Sequence, residues 1–277
     1  MIHREQLKYK NKIVIKVGSS SLTHSNGALN LMRIERLVSV LVDLSNSGKQ
    51  VILVSSGAIA TGAAKMGIDK KPTDKIKKQA LAAIGQAELI KIYDKFFEES
   101  NKTVAQILLT KDGVENPIRR KNAKNTINEL LEMGVIPVIN ENDTVSTDEI
   151  EFGDNDTLSA IVASMVDADL LILLSDIDGM FTGDPRTDES AKLISKVMDL
   201  SADLESYIFE NRSSFGTGGM ASKIVAARHC IEHDIDMVIT NGSDPSIIFR
   251  VLEGEEIGTY FVSKETLTNS EFRRLII

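Results

Sequence analysis

Residues 12–20 read KIVIKVGSS. Ile13, Ile15 and Val17 share one face of the extended run, and Val14 and Lys16 share the other. A strand with one wet face alternates apolar and polar residues. A strand that is apolar on both faces belongs in a parallel sheet covered by helices. The same character returns in QVILVS (50–55), VAQILL (104–109), VIPVIN (135–140), LLILLS (170–175) and MVIT (237–240), with GTYFV (258–262) as a further candidate. Helical patterns fill the gaps at roughly 30–47, 57–66, 75–99, 121–133, 155–167, 219–233 and 245–253. This β–α alternation predicts an α/β fold: a right-handed, doubly wound sheet with helices on both sides. Two stretches break the rhythm, a hairpin-like TVSTDEIEF (144–152) and a loop-like 176–196 containing DGMFTGDPR. With no repeat, low-complexity tract or flexible linker, residues 1–277 read as one continuous domain.

Composition narrows the function. A chain of 277 residues, 42% hydrophobic and 26% charged, is ordinary for a folded protein and long enough for one large core. One cysteine, Cys230, excludes an internal disulfide framework. The charged start MIHREQLKYKNK has no apolar signal region, and no run approaches a membrane span, so the expected location is cytoplasmic. A formal net charge of −8, with four Tyr, nine Phe and no Trp, argues against nucleic acid as a partner. Binding a phosphorylated ligand then requires positive charge placed locally, which makes buried-looking lysines the informative residues.

In open α/β sheets, ligands gather beyond the carboxyl ends of the strands. Lys16 stands in a buried strand, where lysine is rare without a partner, and Gly18 follows it with exposed N–H groups. At the next end, Ser56 reads either as a helix N-cap or, with Gly57 and Ala58, as an anion site. VINEND places Asn140 to Asp143 after a strand, as an Asx-type turn or as a carboxylate for a ligand ammonium group. In FGDNDTLSA, Asp154 or Asn155 suits an N-cap and Asp156 the first turn. Ser175 and Asp176 end another strand, where a polar end and a Gly/Pro-rich loop suit a base and ribose. The string there starts like a calcium loop but lacks its glycine and closing glutamate spacing.

FGTGGMASK (215–223) is a phosphate cradle of another plan. It lacks the Gly-Lys-Ser/Thr ending of a Walker loop, and no strand precedes it as a dinucleotide fingerprint requires. Gly218 and Gly219 open a helix, and Lys223, one turn in, leans back toward the glycine loop. HCIEH (229–233), a string match to a zinc-protease motif, reads as chance on the same helix.

Taken together, KVGSS, VSSGAIATG, VINEND, FGDNDTLSA, DGMFTGDPR and GTGGMASK resemble the amino-acid kinase family in its order, and within it the branch that phosphorylates glutamate. The resemblance implies an αβα sandwich around a mainly parallel sheet, with the acyl acceptor over the N-terminal half and ATP over the C-terminal half. It implies transfer of the ATP γ-phosphoryl group, with Mg²⁺, to the side-chain carboxylate of L-glutamate, opening proline biosynthesis. Lys16 and Lys223 would flank the phosphoryl group, with Asp156 organising them. Ser56, Gly57, Ala58, Asp143 and Asn155 would bind glutamate. Lys16, Gly18, Ser175, Asp176 and the loop Thr217, Gly218, Gly219, Met220, Ala221, Ser222 and Lys223 would bind ATP. Feedback inhibition by proline and a homo-oligomer, dimer or tetramer, are further expectations. The chain stops where a C-terminal PUA domain would begin, so the short form is expected. The rivals are a sister kinase acting on N-acetylglutamate, aspartate or UMP, and a non-catalytic nucleotide-binding protein on the same fold. Asp143 suits a free α-amino group, and keeping both lysines argues for catalysis.

Overall fold

Short apolar strands, separated by helices with one apolar stripe, build this molecule. The structure, a computed structural model, describes residues 3–24, 27–68, 73–145, 155–198, 200 and 219–267. A 3-10 turn (Arg4–Tyr9) leads into β1 (Lys12–Val17), α1 (Ser19–Leu22), α2 (Leu31–Asn46), β2 (Gln50–Ser55), α3 (Ala58–Lys65), α4 (Lys75–Glu98), β3 (Val104–Leu109), α5 (Lys111–Glu115), α6 (Pro117–Glu132) and β4 (Ile136–Glu141). The second half adds α7 (Asn155–Met165), β5 (Leu170–Ser175), β6 (Lys196–Val197), α8 (Gly219–Glu232), β7 (Asp236–Asn241), α9 (Ile247–Leu252) and β8 (Thr259–Phe261).

The strands form one eight-stranded sheet in the order β3-β4-β2-β1-β5-β7-β8-β6. Every pairing from β3 across to β7 is parallel, and β8 runs antiparallel to β7. β1, β2 and β5 are buried almost throughout, whereas β3 at the edge is only half-buried. This is the difference that a central and an edge position impose. The alternation read in β1 is the alternation of the two cores. Ile13, Ile15 and Val17 pack with Leu37 and Leu41 of α2, Leu89 and Tyr93 of α4 and Val251 of α9. Val14 instead faces Leu158 and Val162 of α7, Ile224 and Ala227 of α8 and Ile127 of α6. The expected αβα sandwich is the observed one.

One helix boundary moves, and one strand was missed. The helix expected from 121 starts at Pro117, because the Asn116 side chain accepts hydrogen bonds from the N–H groups of Ile118 (3.0 Å) and Arg119 (3.1 Å). The exposed polar turn that follows carries no apolar stripe for a pattern to detect. The two-residue β6 also escaped the strand reading. Most of the hairpin-like stretch 144–152 lies outside the described residues.

β1 continues leftward to β2, and β5 continues rightward toward β7. The connections diverge between β1 and β5, so a crevice opens beyond their carboxyl ends. The candidate residues converge there.

Candidate active site

Lys16 shares the Val14 face of β1 and therefore points at α7 and α8. Asp156, in the first turn of α7, is fully buried. Its Oδ1 forms an ion pair with the Lys16 ammonium group. Its Oδ2 accepts from Lys223 Nζ at 2.9 Å and from Ser222 Oγ at 3.2 Å. Lys223 Nζ also donates to the Gly219 carbonyl at 3.0 Å, so the side chain does lean back along its helix to the glycine turn. Both lysine side chains are at least nine-tenths buried.

Burial is the largest single influence on the Asp156 carboxyl and pushes its pKa upward. The attraction of Lys16 and Lys223 and their hydrogen bonds together outweigh it and hold the group below the usual carboxylate range. Two ammonium groups thus share the one Asp156 carboxylate, in a protein whose formal net charge is −8.

To the left of β1, a polar recess lines the ends of β2 and β4. Asn155 Nδ2 donates to Ser56 Oγ and to Asn140 Oδ1, each at 2.8 Å, and lies 3.4 Å from the Ser55 carbonyl. Asn155 stands at the start of α7 and uses its amide across the sheet; Asp154, the other N-cap candidate, lies outside the described residues. Gly57, at φ 105°, holds the left-handed conformation that turns the chain from β2 into α3, and Ala58 is the first residue of that helix. Its N–H groups therefore open into the recess beside Ser56. Asp143 lies in the turn after β4, two residues beyond the strand end.

To the right of β1, Ser175 ends β5 and donates to Asp176 Oδ1 at 3.2 Å, while its carbonyl accepts from the Gly242 N–H at 2.7 Å. Asn241, at the end of β7, donates to Asp178 at 2.8 Å. Gly18 precedes α1, and a Cβ built on it would lie 3.7 Å from Lys16 Nζ, so the turn passes close to the ammonium group. Gly219, Met220, Ala221 and Ser222 form the first turn of α8, and Thr217 and Gly218 lie outside the described residues.

Sheet order thus brings Lys16, Asp156, Lys223 and Ser222 together at the crevice. It sets Ser56, Gly57, Ala58, Asn155 and Asp143 on the β2–β4 side, and Ser175 and Asp176 on the β5–β7 side. Two contributors were not singled out from sequence. Gln86 accepts from Asn140 Nδ2 at 2.7 Å, and Tyr93 meets Ser55 Oγ at 2.9 Å. The signal for both was available. Ala82, Gln86, Leu89, Tyr93 and Phe97 recur at helical spacing, so the glutamine sits inside a buried stripe. As for HCIEH, His229 Nε2 is bonded to Ser164 Oγ at 2.8 Å, and burial lowers its pKa to about 4.

The sequence profile of the amino acid kinase family matches residues 11–241, a span that holds the whole cluster. The chain belongs to the amino acid kinase family. Among amino acid kinase family relatives, the glutamate 5-kinase of Clostridium perfringens is 50% identical over 266 residues, 95% of this chain and 99% of that one. The glutamate 5-kinase of Listeria monocytogenes serovar 1/2a is also 50% identical, over 95% of this chain and 96% of its own. A solved carbamate kinase from Giardia lamblia bound to AMP-PNP aligns with a TM-score of 0.66 over 93% of this chain and all of that one. At 15% identity, that likeness is one of fold.

Proposed function

We propose that this chain transfers the γ-phosphoryl group of ATP to the side-chain carboxylate of L-glutamate, giving γ-glutamyl phosphate, the first step of proline biosynthesis. One observation carries the chemistry. Two lysines, one from β1 and one from α8, meet on a single buried carboxylate at the crevice between β1 and β5. The acceptor is supported by the glutamate 5-kinases that are 50% identical to it over 95% of its length.

The residues suit a reaction that needs no general base. A glutamate side chain is ionised at neutral pH, so the nucleophile arrives deprotonated. Asp156, held ionised by its lysines, has no proton to give and little affinity for one. Its task is to fix the ammonium groups where charge builds on the transferring phosphoryl oxygens. Catalysis is then positioning plus electrostatic stabilisation. Mg²⁺ accompanying the nucleotide would supply further charge neutralisation at the phosphoryl group, beside what Lys16 and Lys223 provide.

In this reading, glutamate occupies the recess of Ser56, Gly57, Ala58, Asn155 and Asp143 in the N-terminal half. ATP occupies the side of Gly18, Ser175, Asp176 and residues 217–223 in the C-terminal half. The whole chain acts as one kinase domain. L-proline as feedback inhibitor, a homo-oligomer and a cytoplasmic location complete the proposal. The last is supported by the single cysteine and by the lack, among the described residues, of any helix long and apolar enough to cross a membrane.

The test is hydroxamate capture. Purified protein with ATP, Mg²⁺, hydroxylamine and L-glutamate should yield glutamyl hydroxamate, and N-acetylglutamate, aspartate and UMP should not be phosphorylated. Turnover of one of those acceptors in place of glutamate would refute the assignment.

A further inference from the structure

The hydrogen bonds of the recess have a direction, and it starts outside the recess. A primary amide accepts only at its oxygen and donates only at its nitrogen. Gln86 Oε1 accepts from Asn140 Nδ2 at 2.7 Å, which turns Asn140 Oδ1 toward Asn155. That oxygen accepts from Asn155 Nδ2 at 2.8 Å, and the same nitrogen donates to Ser56 Oγ at 2.8 Å. Both hydrogens of the Asn155 amide are engaged within the protein, so its carbonyl oxygen is the atom it offers to a ligand ammonium group. Ser56 Oγ, accepting from Asn155, has its own hydrogen to donate to a ligand carboxylate. Reversing the first link would turn the Asn140 nitrogen toward the Asn155 nitrogen, which also donates to the Ser55 carbonyl at 3.4 Å, and would displace the oxygen that Asn155 offers to glutamate.

Gln86 is 8% exposed and Asn140 2%, so water does not compete for the first link. The helix that carries Gln86 is held against the recess by backbone contact. A Cβ on the neighbouring Gly85 would lie 1.8 Å from the Ala58 carbonyl oxygen, at the start of α3.

We propose that Gln86 is a positioning residue for the acceptor. Acting through Asn140, it fixes the amide of Asn155 and the hydroxyl of Ser56 in the orientation that receives glutamate. The proposal rests on the glutamate reading above.

The experiment measures KM for glutamate and for ATP in wild type, Q86E, Q86M, N155A and the Q86M/N155A double variant, each checked for folding by thermal melting. Q86M keeps the unbranched shape without a strong acceptor, and Q86L serves in its place should Q86M not fold. Losing the first link should raise KM for glutamate on the order of tenfold, with KM for ATP within about twofold. Q86E keeps an oxygen that accepts from Asn140 and should stay within about threefold of wild type. In the N155A background Q86M should add nothing, because the relay is already cut. Equal rises for both substrates, equal effects of Q86E and Q86M, or multiplying effects in the double variant would each overturn the proposal. A wild type that makes no glutamyl hydroxamate fails the reading of the acceptor and the proposal with it. A working wild type with indifferent variants fails the proposal alone.

Discussion

Asp156 has no exposed surface and two ammonium groups on its oxygens, so its loss is a loss of charge balance before it is a loss of anything else. D156N takes from the buried Lys16 and Lys223 the carboxylate that both ion-pair with, and we expect it to cost about 3 kcal/mol of stability in urea denaturation at neutral pH. The pH dependence has a definite sign. The folded carboxyl is held below its ordinary range, so its contribution is complete above the unfolded value and is lost as pH falls through the folded one. The gap between wild type and D156N should be flat down to about pH 5 and close below about pH 4. A gap that widened on acidification would refute the ion-pair account. K223A tests the catalytic side of the same cluster. If the ammonium acts mainly in the transition state, kcat falls by about 10²–10³ with little change in KM for ATP. A proportionate rise in that KM would mean the lysine merely binds nucleotide. Both lysines were legible in the sequence, because a charge within a buried strand or one turn into a glycine-led helix has to be explained. Gln86 was legible only as a polar residue within a buried helical stripe; its link to Asn140, 54 positions away, is made by tertiary packing alone.

At the scale of elements, the tightest contact described lies between α3 and α4. Gly62 and Gly85 let the two backbones touch: a Cβ on Gly62 would lie 2.0 Å from the Leu81 carbonyl oxygen, and one on Gly85 1.8 Å from that of Ala58. Those obstacles are main chain, so neither can be relieved by a side-chain rotation. G85A should therefore push α4 away from the start of α3, at about 2–3 kcal/mol in stability. Because Ala58 and Gln86 border the recess from the two helices, KM for glutamate should rise more than KM for ATP. Steady-state kinetics with each substrate varied in turn would show this, and an equal rise in both would sink it. The strands were legible because burial on both faces leaves an unbroken apolar run that any reading detects. Helix contacts of this kind leave only two glycines in small-residue segments, which composition does not distinguish from loose packing. The start of α6 was missed for a related reason. Its cap is one asparagine, and its first turn is exposed.

Across the whole molecule, the reactive cluster and the closure of the chain occupy opposite edges of the sheet. Lys16 and Ser175 lie at the carboxyl ends of β1 and β5, while Lys10 and Asp236 lie at the amino ends of β1 and β7. There the buried Asp236 binds Lys10 at 2.7 Å, the Tyr260 hydroxyl and Thr266 Oγ1 at 2.9 Å each, and the Ser263 N–H at 2.7 Å. Arg4 completes the clasp, donating to the carbonyls of Ser195 (2.6 Å), Ile257 (2.7 Å), Glu255 (3.0 Å) and Gly258 (3.0 Å). Its guanidinium carbon lies 5.6 Å from the centre of the Tyr260 ring. None of this was legible from the sequence, where Arg4 is one charge in a polar start and its partners lie 191 to 254 residues away. What was legible was the site edge, since strands there run into glycines and polar residues that no packing argument requires. The separation has a consequence for mutants. R4A strips four carbonyls, that of Gly258 buried and the others partly so, of a charged donor and should cost about 3 kcal/mol, seen as a lower urea midpoint. Well below the melting temperature, kcat and both KM values should match wild type, because none of the described residues that Arg4 touches lies at the crevice. A kinetic defect in fully folded R4A would mean that the two edges are coupled through the sheet, and the division between a structural edge and a chemical one would have to be abandoned.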